Sequence, residues 1–208
     1  MTGHKGERVN RSVALVTDDF RLYHKLVPFL EGNGLRVLVL KPGDAVPAAV
    51  QVLLGGPSDD PRTVPLRPDF EATFLAALAA LDPRLRRPGG SARRPYHRVV
   101  FGLDPGRVTG VAVLADGELF LVGESLSVEA AVERVASWAT AFETESWAIH
   151  VGAGAPEVGR ALLQGLRQRL PHARASLVGE EKTTPYSHVT GSRHTDAAVH
   201  IALREPPA

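Results

Sequence analysis

The chain has 208 residues, a net charge of +1, 44% apolar residues and no cysteine. That length holds one large domain or two small ones. The composition excludes a disordered tail or a fibre, and the missing thiols exclude disulfides, thiolate zinc sites and a cysteine nucleophile. Any metal must sit on oxygen or imidazole. The near-neutral total hides a change of sign: residues 1–98 carry a net +5 and residues 99–208 a net −4. No run approaches the roughly 18 apolar residues of a membrane span, and MTGHKGERVNRS has no apolar signal core behind it. A soluble, cytoplasmic protein without a membrane partner is expected.

Ser12–Thr17 is a β-branched apolar run of strand length. In the following DDFRLYHKLVPFLEGNG, Phe20, Tyr23, Leu26, Val27 and Leu30 fall at helical spacing, Asp18 or Asp19 suits the N-cap, and Pro28 should kink the helix. Leu35–Leu40 and Val50–Gly56 read as further strands, and Asp69–Asp82 as a helix with Phe70, Phe74, Leu75 and Leu78 on its apolar face. Residues 1–82 thus form a small Rossmann-like α/β domain with a parallel sheet. Its VTDDF resembles the acidic opening of a response-regulator receiver domain. The strand that should end in the phosphoacceptor aspartate ends in LLGGP instead, so phosphotransfer is not expected there. Neither GxGxxG nor a GKS/GKT phosphate loop occurs in this half, which leaves it without a ligand.

Residues 83–98 hold Arg84, Arg86, Arg87, Arg93, Arg94 and Arg98 among Pro and Gly, with no acid. Such a stretch is an interdomain linker. It also suits a polyanion, since each guanidinium can fork onto a phosphate. Residues 99–208 then read as three strands in a meander, with Asp116-Gly117 as a hairpin turn. A helix over Val128–Phe142, a strand in SWAIHVGAG, a helix from Pro156 to Leu170, the strand ASLVG and a helix from His194 to Arg204 follow.

Asp104 interrupts an apolar strand, where a carboxylate requires a cation, and Pro105, Gly106 and Gly110 let the backbone turn close beside it. Glu180 and Glu181 follow the strand Ser176–Gly179, and His194, Asp196 and His200 lie on the last helix. Asp196 and His200 share a helix face, and Asp196 also suits the helix dipole.

The order of these elements is that of the ribonuclease-H-like fold, a mixed-sheet α/β domain. GLDPG with Thr109-Gly110, IHVGAGAP, GEEKTT and RHTDAAVHIAL together resemble the RuvC-type Holliday-junction resolvases and their YqgF/RuvX relatives, over residues 99–204. The resemblance implies a nuclease acting on branched or structured DNA, more than on RNA, with Mg²⁺ or Mn²⁺ held by Asp104, Glu181 and Asp196. Two hard cations held by converging carboxylates would activate water and stabilise the leaving oxygen. His194 would be a ligand or a general base, two registers competing over whether Asp196 or His194 takes the place of the final acid. Arg86, Arg87, Arg93, Arg94, Lys182 and Arg193 would contact nucleic acid, and a homodimer is implied. The sequence departs from the RuvC branch at His150, where an acid is expected, and at Arg193. These departures support a second reading: a catalytically degenerate nucleic-acid-binding or scaffold protein of the same fold. DxGxxTG also opens actin-type ATP-binding domains, but roughly 110 residues are too few for the duplicated core they need.

Overall fold

The computed structural model describes residues 11–57, 59–82, 84–85, 95–179 and 192–204. The chain is α/β throughout and divides into two compact units that part near residues 83–90. The first runs β1 (Ser12–Val16), α1 (Phe20–Gly32), β2 (Arg36–Leu40), β3 (Val52–Leu54), β4 (Thr63–Val64) and α2 (Phe70–Leu81). Its sheet, ordered β2-β1-β3-β4, is parallel at every pairing. Central strands of such a sheet are covered on both faces, which is why VAL and LL are continuous apolar runs. Val13, Ala14, Leu15, Leu53 and Leu54 are fully buried.

Asp19 caps α1, its carboxylate accepting from the Arg21 and Leu22 amides at 2.8 and 3.1 Å, and Asp69 caps α2 in the same way. The two helices meet through Phe29, whose ring lies 6.0 Å from Phe70 and 6.2 Å from Phe74. Val46 and Val50, from the β2–β3 connection, pack on Ala14 and Leu53. Pro28 lies inside α1, which continues past it to Gly32. The two-residue β4 was not expected, because a strand that short carries no readable alternation.

The second unit runs β5 (Tyr96–Asp104), β6 (Thr109–Ala115), β7 (Glu118–Ser125), α3 (Val128–Ala139), β8 (Thr144–Gly152), α4 (Pro156–Arg169), β9 (Arg174–Val178) and α5 (Arg193–Ala202). The sheet is mixed and ordered β7-β6-β5-β8-β9. β5, β6 and β7 are antiparallel, whereas β8 runs parallel to β5 and β9 to β8. Asp116 and Gly117 both take positive φ, 50° and 83°, as a tight two-residue hairpin turn requires. α3 stops at Ala139, short of the expected Phe142. Phe142 instead leaves the helix to pack its ring 5.7 Å from Tyr96 and 5.3 Å from Phe120.

The two faces of this sheet are covered unequally. α3 and α4 share one face: a Cβ on Gly123 of β7 would meet Arg134 and Trp138 of α3, and Gly159 of α4 lies over Val151 and Leu177. α5 lies on the opposite face, where Ala198 and Val199 pack with Ala112, and Ala202 with Val100 and Leu114. Residues Gly102, Asp104 and Gly110 point toward α5, so this helix and the ends of β5 and β6 position the candidate site.

Candidate functional site

α5 lies unusually close to two strands because both present glycine beneath it. A Cβ on Gly102 would stand 2.1 Å from the Ala198 carbonyl oxygen and 2.6 Å from the Ala202 nitrogen. One on Gly110 would stand 2.0 Å from the His194 carbonyl oxygen. Side chains cannot occupy that space, so β5 and β6 admit the helix only because both positions lack Cβ. Gly110 therefore serves helix packing. The expected role, freedom to turn beside Asp104, is not what the geometry requires of it.

Asp104 ends β5 opposite Gly110, so the first turn of α5 sits directly against it. His194 Nδ1 stands 3.6 Å from Asp104 Oδ2, with about a quarter of the imidazole and a fifth of the carboxylate side chain exposed. On the other side of the ring, Arg193 Nε donates to His194 Nε2 across 3.4 Å. A guanidinium can only donate, so Nε2 is the acceptor in the Arg193 contact, and Nδ1 is the nitrogen that faces Asp104.

The start of α5 is further held by Ser192, the N-cap, whose hydroxyl accepts from the His194 amide at 3.3 Å and donates to the Glu124 carboxylate. Glu124 was not singled out in the sequence. It stands opposite Gly110 on β7, one rung from Asp104, so the two acids flank the helix end. Its placement depends on a register shift between Val113 and Leu114. A one-residue slip moves a side chain to the other face, and nothing local in ELFLVGES announces it.

Asp196 is buried in the first turn of α5, 9% exposed, where its charge also complements the helix dipole. His150 is buried deeper, at 1% exposure, under the far end of α5. Its Nδ1 donates to the Ile201 carbonyl across 3.3 Å, while Nε2 is enclosed without a partner. Burial holds the His150 pKa below its ordinary value, against the Ile201 contact that favours the charged ring. His150 is thus a neutral core group far along the helix from the Asp104–His194 pair. Glu181 and Lys182, with Arg86, Arg87, Arg93 and Arg94, lie outside the described residues. Among the described residues no group of three or more His, Asp or Glu is arranged to hold a metal ion. Also among the described residues, no helix is long and apolar enough to cross a membrane.

Fold and site define a two-unit α/β protein in which one helix is locked onto a mixed sheet. Comparison with known proteins concerns the other unit: a family model described as a response regulator receiver-like domain matches residues 12–81. No curated protein and no solved structure matches the chain significantly. The family match overturns the assignment of this chain to the RuvC/YqgF nucleases, and with it the description of the protein as a RuvC-like nuclease. That assignment rested on the order of the elements and on four short motifs. Two glycines of its leading motif, Gly102 and Gly110, are accounted for by the close approach of α5.

The receiver-like match fits the parallel sheet of the first unit and sharpens one detail. β3 ends at Leu54 and is followed by Gly55 and Gly56, where a phosphoacceptor aspartate was sought. Gly55 has φ of +71°, and a Cβ there would stand 2.7 Å from Leu66 Cδ1 and 3.2 Å from the Val16 carbonyl oxygen. Close packing and a positive φ both disfavour a side chain at Gly55.

Proposed function

We propose that this protein is a non-catalytic, nucleic-acid-binding scaffold in which a receiver-like unit that takes no phosphoryl group is joined to a ribonuclease-H-like unit. The strand order β7-β6-β5-β8-β9, with an antiparallel meander followed by two parallel strands, supports the finer fold assignment. The observation that carries the non-catalytic reading is the engagement of His194 on both sides, by Asp104 and Arg193. In this reading Asp104 is a structural acid that fastens the first turn of α5 to β5. Gly102 and Gly110 serve the same end by letting the helix lie against the strands. The acid-free arginine run of residues 83–98 and its forked donors supply attraction for a phosphate backbone.

The test is a pair of assays on the full chain. Labelled four-way junction, duplex, single-stranded DNA and RNA/DNA hybrid are incubated with Mg²⁺ or Mn²⁺, and binding is followed by anisotropy in EDTA. Binding without metal and no cleavage of any substrate are expected, for the parent and for Asp104→Asn alike. Metal-dependent cleavage by the parent that Asp104→Asn abolishes would overturn the reading.

A further inference from the structure

Residues 99–208 carry a net charge of −4, yet residues 158–179 contain Arg160, Arg167, Arg169, His172 and Arg174 and not one Asp or Glu. These residues span most of α4 and β9. Along α4, Arg160, Gln164, Arg167 and Gln168 recur at spacings of four, three and one, which places them on one exposed stripe. They line a surface groove floored by the buried Leu163. Arg169 belongs to another side of the helix, where it is bonded to Glu133 of α3.

Arg167 is held where the helix meets the sheet, its Nη2 donating to the Ala175 carbonyl of β9 across 3.3 Å. β9 is the edge strand, and its exposed Arg174 immediately precedes that carbonyl. Among the described residues no carboxylate lies within ion-pair distance of Arg160, Arg167 or Arg174. Arg160 and Arg167 are about 10 Å apart along the helix axis, seven residues at 1.5 Å each. That spans roughly three base-pair steps of a duplex at about 3.4 Å per step. Guanidinium groups fork onto phosphate oxygens, and the intervening glutamines can both donate to and accept from sugars and bases.

We propose that α4 and the β9 edge form a groove for the phosphate backbone of nucleic acid, with Arg160, Arg167 and Arg174 as phosphate contacts. The proposal rests on the nucleic-acid-binding reading above and names the surface that carries it. Arg160 and Arg167, about 10 Å apart on one helix face, match phosphates repeated along a backbone, and the glutamines between and beside them suit sugars and bases better than an acidic peptide.

The experiment compares the full-length parent with Arg160→Gln/Arg167→Gln, an exposed pair whose replacements keep the helix and much of the stem, by anisotropy on labelled DNA over a range of salt. Unchanged circular dichroism and melting confirm folding. A loss of tenfold or more at low salt is expected, and the slope of log K against log salt should fall by about 2 as two phosphate contacts disappear. If the parent binds and the double variant keeps its affinity and slope, the groove is overturned while the reading of the protein stands. If the parent binds none of the nucleic acids, that reading itself falls. Displacement of bound DNA by polyglutamate as effectively as by unlabelled DNA would also overturn the groove, as a generic anion surface.

Discussion

Gly102→Ala should be among the most damaging small substitutions in the second unit. The added methyl carbon would lie 2.1 Å from the Ala198 carbonyl oxygen, 2.6 Å from the Ala202 nitrogen and 2.7 Å from the Ala202 Cβ. Two of those three atoms are backbone and cannot rotate away, so α5 must lift by about 1 Å to regain ordinary contact. Overpacking costs about 1–3 kcal/mol, and occasionally more where nothing can yield. The upper end applies here, because lifting α5 also loosens Ala198, Val199 and Ala202 from the sheet. In a unit of this size about 3 kcal/mol lowers the melting temperature by roughly 10 °C. Both tryptophans, Trp138 and Trp147, belong to the second unit, so their fluorescence during heating of the full chain reports that unit alone. Adding Ala202→Gly removes the Cβ contact but leaves the Ala198 carbonyl in place, and should restore nothing. A shift under 2 °C for Gly102→Ala, or full recovery in the double variant, would refute the argument that helix backbone seats directly on that glycine.

His150 predicts an acid-linked loss of stability. Its folded pKa lies below the unfolded value of about 6.5, so its contribution is fully present above that pH and is lost as pH falls through the depressed folded value. His97 works in the opposite direction. Its hydrogen bond to Glu145 raises its pKa, so it contributes most below pH 6.5 and fades as pH rises through the folded value. Urea unfolding at pH 7.5 and 5 should therefore show a smaller acid loss in His150→Leu than in the parent, and equal losses would refute the assignment. Ser192→Ala removes the cap of α5 and its bond to Glu124, and should cost about 1 kcal/mol by the same tryptophan assay. Incubation with acetyl phosphate and Mg²⁺ should leave the intact mass unchanged, since β3 is followed by Gly55 and Gly56 and not by an aspartate; a phosphorylated species mapping to residues 12–81 would contradict this.

Much of the fold was legible because its signals are local. DDF and PDF place capping carboxylates before helices, Asp116-Gly117 supplies the two positive-φ residues of a hairpin, and continuous apolar runs such as VAL and LL mark strands buried on both faces. The candidate site was legible only in part. Asp104 and His194 were singled out for metal chemistry, and the structure brings the two together as partners of one another. Glu124 was missed because only the bulge between Val113 and Leu114 turns it toward α5. In residues 12–81, which match the receiver-like family model, VTDDF carried the resemblance and only phosphotransfer was rejected for want of one aspartate; the hydrophobic pattern of the layer does not depend on that residue.

By itself the sequence determined every element but the two-residue β4, their order, the absence of thiol chemistry and the reversal of charge between the two halves. Each of these depends on neighbours within a few residues, or on composition alone. Tertiary structure alone decided that Gly102 and Gly110 serve helix packing, that His150 is a buried neutral ring, and that the cations of α4 and β9 share one surface. Those outcomes depend on which strand lies beside which and on which face a bulge turns outward. Such pairings join residues from separate elements, in the case of Gly102 and α5 nearly a hundred positions apart, and no local pattern encodes them.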